Sequence, residues 1–573
     1  MSIIFLLLLS SFARAQWDSK IDRSLEPGQT AYDCCIYFGQ NDLETSDELK
    51  GKSAKGKWVF DRLSVQARND QRAVIAYLKE QDIEFRSYKV VNAVFAHLSW
   101  EDIETLSRYH EVESIVENGI LKKQQEERNV MNLREDVTWG IQMIGADSVW
   151  RLGYRGQGVV VGGEDTGVKW DIPAIKEMYR GNEAAMIDHD YNWHDAIHEI
   201  NPMHGDSVIS PANNPCGLDV KYPCDDHGHG THTVGTMVGE DGEMKIGVAP
   251  DSKWIACRCM ERGYGTLETY VECFEFFLAP TDLNGENPMP ELAPDVINNS
   301  WGCPRKEGCN PSNFAIMEAA VDNLKAAGIF VVVSAGNDGS SCSSLRNPAA
   351  IFANSFTVGA TNQKDTITGF SSRGPVVVDS SFRTKPDVAA PGLAVVSQLP
   401  DSSYQAWNGT SMAGPHVAGL VALILSANPE LKGEVDIIED VIISTAVRKL
   451  HPADTCDVDP IVIPNNTYGY GRINAVAAVE KALGLITTSD KGLQRPHIRY
   501  NSPFDRYLRV WNLDAPGTYT LELLNTSGQR IRYQRDVEAS EWYWSTGDLP
   551  PGGYFLRLTS DQGEWGYKLI KTR

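Results

Sequence analysis

Gly409-Thr410-Ser411-Met412-Ala413-Gly414-Pro415-His416-Val417-Ala418-Gly419 is the stretch that decides how this chain is read. It sets a serine between a glycine turn and the start of an apolar helix. Small residues at Ala413, Gly414, Ala418 and Gly419 let that helix pack closely against its neighbours. A helix N-terminus suits acyl-transfer chemistry in two ways. The serine N–H has no partner within the helix and can face a developing oxyanion. Its hydroxyl stands clear of the helix, within reach of a base. Taken alone, Thr-Ser before a helix is a cap, and only the segments elsewhere in the chain change that reading.

Gly156-Gln157-Gly158 leads into the valine run Val159-Val160-Val161 and then Gly162-Gly163-Glu164-Asp165-Thr166-Gly167. The run predicts a parallel strand buried on both faces. Asp165 would end it, at the edge where open α/β sheets place their sites. In Asp226-His227-Gly228-His229-Gly230-Thr231-His232, glycines flank His229 and an apolar small-residue helix follows. The order along the chain is Asp, His, Ser, which among unrelated triad folds is the order of subtilisin. Ser334-Ala335-Gly336-Asn337-Asp338-Gly339 adds a fourth segment. On these four motifs, in this order, the chain resembles the subtilase family.

The resemblance implies a role for each residue. Ser411 is the nucleophile, His229 the base, and Asp165 the residue that orients the imidazole. Asn337 donates to the oxyanion beside the Ser411 N–H. His227, His232 and His416 are read as structural. Gly263-Tyr264-Gly265 resembles the family's edge segment, where glycines let a substrate backbone approach as an added strand. Ser300-Trp301-Gly302 resembles one wall of the pocket for the residue before the scissile bond, and Ala335-Gly336-Asn337 the other. Trp301 stands where many members carry an aliphatic residue, as a pocket wall or as a core aromatic.

The chain has 573 residues, 42% of them hydrophobic, and a formal net charge of −23. That charge argues against nucleic acid or an anionic membrane as partner. The apolar run Ile3–Leu9 is too short to span a bilayer, so no transmembrane anchor is expected there. Ala13 and Ala15 fit a signal-peptidase site before Gln16, although no Lys or Arg precedes the run. Eleven cysteines agree with an oxidising destination. Cys216 with Cys224 and Cys303 with Cys309 are the easiest local pairs, and Cys257 with Cys273 would join a strand to the next helix, but sequence alone does not fix connectivity.

Four parts follow: a signal peptide over 1–15, an N-terminal α+β segment over 16–130, an α/β domain over 137–484 and a β-rich tail over 490–573. Alternating strand and helix patterns in the α/β domain predict a mostly parallel sheet with helices on both faces, and the resemblance implies the subtilisin-like, doubly wound class. Within it, Asn313–Ala327 reads as a helix closed by Gly328, with a strand over Ile329–Ser334. In the N-terminal segment, Val90–Leu98, Trp100–Tyr109 and Val112–Val116 read as strand, helix and strand. This ending resembles the subtilase inhibitor propeptide, which implies an intramolecular partner whose tail lies in or after Glu117–Arg134. In the tail, Tyr519–Leu524 and Tyr554–Leu558 alternate as half-buried strands. Together with Leu549-Pro550-Pro551-Gly552-Gly553-Tyr554 and Tyr567–Lys571 they resemble a type IX secretion sorting domain that forms a β-sandwich, implying the secretion machinery as a partner.

Asp165 and His229 are 64 residues apart, long for a small subtilase. This interval resembles the extended loop of the bacillopeptidase F-like branch. Within it His194 and His198 stand four apart, at the spacing of a metal pair, but spacing fixes no third ligand and a solvated loop is the plainer reading. The resemblance implies no required cofactor. Structural calcium occurs in the family, yet the sequence locates no site for it and leaves the metal question open. Two functions are carried forward: a secreted serine endopeptidase acting on polypeptides and made as a zymogen, and a surface binding protein on an inactive protease fold. An intact triad separates them.

Overall fold

The computed structural model describes residues 19–571 apart from 23–24, 41–42, 44–48, 123–127, 130–135, 184–185, 206–207, 209, 211–212, 243, 303–310, 451–455, 457–460, 490–498, 501–503, 505, 512–518, 526–529, 538–540 and 561–562. The expected signal peptide and the Cys303–Cys309 pair lie outside the described residues. The chain forms two units, one running to Ala482 and the other beginning at Leu483.

Valine-rich runs build the centre of the first unit as a seven-stranded, wholly parallel sheet. Its order in space is Trp193–Asp195, Lys253–Arg258, Val160–Asp165, Val296–Asn299, Phe330–Ser334, Phe356–Thr361 and Val388–Pro391. Later strands add to both sides of Val160–Asp165, so the topological switch flanks that strand and Asp165 ends it. The edge strand Trp193–Asp195 comes from the long Asp-to-His interval. The interval therefore contributes an edge strand around His194, which stands in the sheet and not in a solvated loop.

Helices His229–Val238 and Thr410–Ala427 pack on the sheet. Thr410–Ala427 is long and apolar enough to cross a membrane, but 94% of it is buried inside the fold, as the core helix of an α/β domain must be. The predicted helix at Asn313 spans Phe314–Ala326, and Gly328 stops it with a φ of 82°.

The N-terminal segment forms an antiparallel sheet in the order Phe85–Tyr88, Ala93–Leu98, Tyr32–Tyr37 and Ser114–Glu117. Ser99 and Asp102 form a capping box that starts the helix Trp100–Leu106. The helices Lys52–Asp70 and Arg72–Glu80 also belong to it. One apolar core joins Tyr37, Val59, Tyr88 and Val90 of this segment to Phe274 and Val321 of the α/β domain. At its edge Glu275 accepts the Lys89 and Val90 N–H groups at 2.6 and 2.9 Å, and Asn323 donates to the Val90 carbonyl at 2.7 Å.

The second unit contains a three-stranded and a four-stranded antiparallel sheet. Leu508 and Val510 of the first share a core with Leu521, Leu556 and Leu569 of the second. Disulfides join Cys216 to Cys224, Cys257 to Cys273 and Cys342 to Cys456, while Cys34, Cys35 and Cys259 are buried free thiols.

Glu164 stands beside Asp165 on the central strand, wholly buried and abreast of Asn299 and Cys257. Neither of its carboxyl oxygens has a hydrogen-bond partner among the described residues. Burial first, and the Asp165 charge second, push its pKa well above the usual carboxyl value. A raised folded pKa leaves the associated stability intact below about pH 4.3, the unfolded value, and removes it as pH rises toward the folded one. Glu164→Leu is expected to stabilise the fold by a margin that grows with pH, by up to about 1.4 kcal/mol per unit. Urea unfolding of both proteins at pH 5 and pH 9 checks this; an equal margin at the two pH values would refute a buried, neutral carboxyl.

Candidate active site

Asp165 and His229 meet directly. Asp165 ends its strand and His229 opens its helix behind Gly228, whose φ is 97°. The imidazole Nδ1 lies 2.6 and 2.7 Å from the two Asp165 oxygens, and both side chains are almost fully buried. Donation from Nδ1 to a carboxylate leaves Nε2 as the nitrogen that can take up a proton. The Thr166 N–H donates to Asp165 Oδ1 at 2.7 Å, and the Thr233 hydroxyl reaches Oδ2 at 3.4 Å.

Glycine is required for this approach. A Cβ on Gly230 would stand 2.0 Å from the Gly167 carbonyl and 3.0 Å from Asp165 Cβ. A second carboxylate stitches the two segments together. Asp225 accepts the Thr166 hydroxyl at 2.9 Å, the His227 and Gly228 N–H groups, and both the N–H and the hydroxyl of Thr231. The Thr166 hydroxyl oxygen accepts the Gly230 N–H in turn at 3.0 Å.

Ser411 is the second residue of the helix Thr410–Ala427. Its hydroxyl donates to the Ser300 carbonyl at 3.1 Å, and the Ser300 hydroxyl donates back to the Ser411 carbonyl at 3.0 Å. The second bond has a covalent reason. Pro415 stands four residues after Ser411 and has no N–H to give that carbonyl. Asn337 is tied to the residue before Ser411, because its Oδ1 accepts both the Thr410 N–H and the Thr410 hydroxyl at 2.9 Å. This orients the amide, with the oxygen end on Thr410 and the NH2 at the other end. Gly336 donates its N–H to the same Thr410 hydroxyl oxygen at 3.1 Å.

The other histidines have separate surroundings. His232 stacks on Trp407 at 4.8 Å and contacts the Gln405 carbonyl. His416 bonds the Met412 carbonyl, and burial lowers its pKa to about 4. His227 presents its N–H to Asp225. His194 and His198 lean on one carboxylate, that of Glu272, at 2.7 and 3.0 Å. Among the described residues, no group of three or more His, Cys, Asp or Glu is placed to hold a metal ion.

The expected edge segment is a strand, Tyr264–Thr266, and it already carries a partner. Ile120–Lys122 pairs with it antiparallel, Lys122 opposite Tyr264 and Ile120 opposite Thr266. Further on, Arg128–Asn129 pairs antiparallel with Ala406 and Trp407, at the end of the strand that leads through Gly409 to Ser411. Of the two expected pocket walls, Ala335 is buried at the end of its strand and Gly336 turns with a φ of 101°. On the other side Gly302 is buried, and Trp301 faces inward at 3% exposure, 3.8 Å from the ring of Tyr270. Trp301 is therefore a core aromatic.

Sequence reasoning missed Asp225, Asp226 and Arg258. The doublet Asp225-Asp226 before the histidine segment was the available signal. Arg258 gave none beyond being a charge at the end of an apolar strand.

The subtilase family pattern matches residues 156–471, more than half of the chain. Bacillopeptidase F of Bacillus subtilis (strain 168) is 34% identical over 554 residues, 90% of this chain and 35% of that protein, so the chain spans only about a third of that relative's length. An alkaline protease of Alkalihalobacillus alcalophilus is 27% identical over 456 residues, 78% of this chain and 97% of that protein. Subtilisin E of Bacillus subtilis (strain 168) is 29% identical over 348 residues, 60% of this chain and 73% of that protein. With the family pattern lying across the parallel sheet, the buried Asp165–His229 pair and the Ser411 helix, the chain belongs to the subtilase family.

Proposed function

We propose that this protein is a secreted serine endopeptidase that hydrolyses peptide bonds in polypeptides and is made as an inhibited precursor. The observation that carries the reading is the buried contact between His229 Nδ1 and the Asp165 carboxylate, which would hold the imidazole in the tautomer and orientation a general base needs. In the reaction Ser411 Oγ leaves the Ser300 carbonyl, gives its proton to His229 Nε2 and attacks the substrate carbonyl carbon. The Ser411 N–H and the Asn337 amide bind the resulting oxyanion. His229 then protonates the departing amine, and a water molecule repeats the sequence to free the acyl group. Asp165 stays ionised and steadies the imidazolium.

The two strand pairings of the N-terminal segment support inhibition in the precursor. Ile120–Lys122 holds the edge Tyr264–Thr266 that a substrate would take, and Arg128–Asn129 holds the strand leading to Ser411. The propeptide, expected over 16–130, is read as ending earlier, at a cut between these two pairings, so that Arg128–Asn129 stays with the mature enzyme. The apolar run Ile3–Leu9 and the three disulfides among the described residues agree with export. The tail is read as the secretion sorting domain. The alternative, a binding protein on an inactive fold, has no observation in its favour, since the three triad residue types and Asn337 are all present.

Ser411→Ala is expected to abolish peptidase activity and leave the precursor uncut. N-terminal sequencing of the matured wild type should begin within residues 123–128. Unchanged peptidase activity in the variant would remove the assignment; a faint residual rate would not, because the oxyanion donors remain. Asn337→Leu is expected to lower kcat by about 10²–10³, or about 2.7–4 kcal/mol, with KM nearly unchanged. Steady-state kinetics on a chromogenic peptide measures both constants; a loss carried by KM would assign Asn337 to ground-state binding.

A further inference from the structure

Arg258 is a fully buried cation with no place in the chemistry described so far. It ends the strand Lys253–Arg258, and in register it lies between Asp195 on one neighbouring strand and Asp165 on the other. Its guanidinium spans two parts of the chain. Nη1 donates to Asp195 Oδ2 at 3.2 Å and to the Gly217 carbonyl at 3.1 Å, both in the interval between Asp165 and His229. Nη2 donates to Asp226 Oδ2 at 2.5 Å. Asp226 also accepts the Arg262 N–H at 2.9 Å, and it stands three residues before His229. Only the turn at His227 and Gly228 lies between that anchored carboxylate and the imidazole.

We propose that Arg258 is a positioning residue for His229: it clamps Asp226 to Asp195 and Gly217, and so makes the long Asp-to-His interval part of the device that aims the imidazole at Asp165. The proposal rests on the reading of His229 as general base. A planar fork suits the task, because Nη1 takes Asp195 and the Gly217 carbonyl while Nη2 takes Asp226, whereas a lysine would have to serve all three from one nitrogen. The carboxyl groups around this cation are Asp195 and Asp226 in contact, Asp165 abreast and Glu261 nearby. Burial opposes the Arg258 charge, yet Asp226 and Asp195 hold its pKa above the ordinary arginine value. Burial likewise pushes Asp226 up to about 6 against the pull of Arg258.

The test compares mature wild type with Arg258→Met, Arg258→Lys and Arg258→Met/Asp226→Asn, with rates normalised to titrated active sites. Arg258→Met is expected to lower kcat by roughly 10²-fold, the size of effect that a misplacement of about 1 Å produces, with KM within about threefold. Removing a cation among carboxylates favours protonated imidazole, so the acid limb of the kcat/KM profile should move to higher pH. Arg258→Lys should return that limb to its wild-type position and recover only part of kcat. Asp226→Asn added to Arg258→Met should also bring the limb back, by removing the uncompensated charge.

A wild-type kcat per titrated site in Arg258→Met would overturn the proposal. So would a loss seen only as fewer titratable sites with an unmoved acid limb, because that is the behaviour of a structural ion pair. If Arg258→Met does not fold, Arg258→Lys and Asp226→Asn decide by kcat per titrated site: a reduced value in both supports the proposal and a wild-type value in both overturns it. Absence of activity in wild type itself would instead remove the peptidase reading.

Discussion

Burying a carboxylate against an imidazole is the demand that the rest of the α/β domain meets. An ionised carboxyl taken out of water is tolerated only when its oxygens are satisfied in place. Asp165 has the His229 ring, the Thr166 N–H and the Thr233 hydroxyl. To supply them, a strand end and a helix start must come closer than ordinary side chains allow, which excludes any Cβ at Gly230. Asp225 then fastens the two segments through Thr166 and Thr231. The serine side is built by the same logic. Ser300 and Ser334 donate to the Ser411 and Thr410 carbonyls, so Pro415 can interrupt the helix without leaving a buried acceptor empty.

The N-terminal segment is held differently. Its centre is apolar and continuous with the domain core, but its rim is charged: Lys52 on Asp295, Lys55 on Glu434, Arg86 on Glu268 and Lys89 on Glu275. The segment supplies the cations and the α/β domain the anions. In the proposed precursor this division has a consequence. Carboxylates uncovered by departure of the segment hydrate readily and keep the mature surface acidic, whereas a larger apolar rim would leave an aggregation-prone patch. Glu268 marks the strain in the arrangement, since burial raises its pKa to about 7 although Arg86 sits 3.1 Å away.

Residues whose placement is set locally were legible in the sequence. Asp165, His229, Ser411 and Asn337 each lie in a motif whose glycines and flanking apolar run announce a strand end or a helix start. The central strands and the helix near Asn313 follow from periodicity for the same reason. What was not legible depends on partners distant in sequence. Arg258 is one charge at the end of an apolar strand, and its meaning comes from Asp195 and Asp226, 63 and 32 residues away. Trp301 could be assigned to wall or core only once Tyr270 was beside it. The helix Lys52–Asp70 buries just Gly56, Val59, Leu63 and Ala67, too thin an apolar stripe to stand out among its charges.

The same distinction separates what must persist in the α/β domain from what can leave. Glu272 accepts from His194 and His198 of the interval and from Tyr88 of the N-terminal segment. Burial works against its charge, but the two histidines hold its carboxyl well below the usual range. Burial also opposes the charge on His198, yet Glu272 and Asp219 lift its pKa to about 9. The His198–Glu272 ion pair is therefore complete across neutral pH, with Tyr88 adding one neutral donor. Losing Tyr88 removes the weakest of three bonds. The interval keeps its hold on the helix Leu267–Leu278 at Glu272, on Arg258 through Asp195 and Gly217, and on itself through Cys216–Cys224. If the N-terminal part is removed as proposed, a segment fastened at these points, none of which lies in that part, can keep His229 against Asp165.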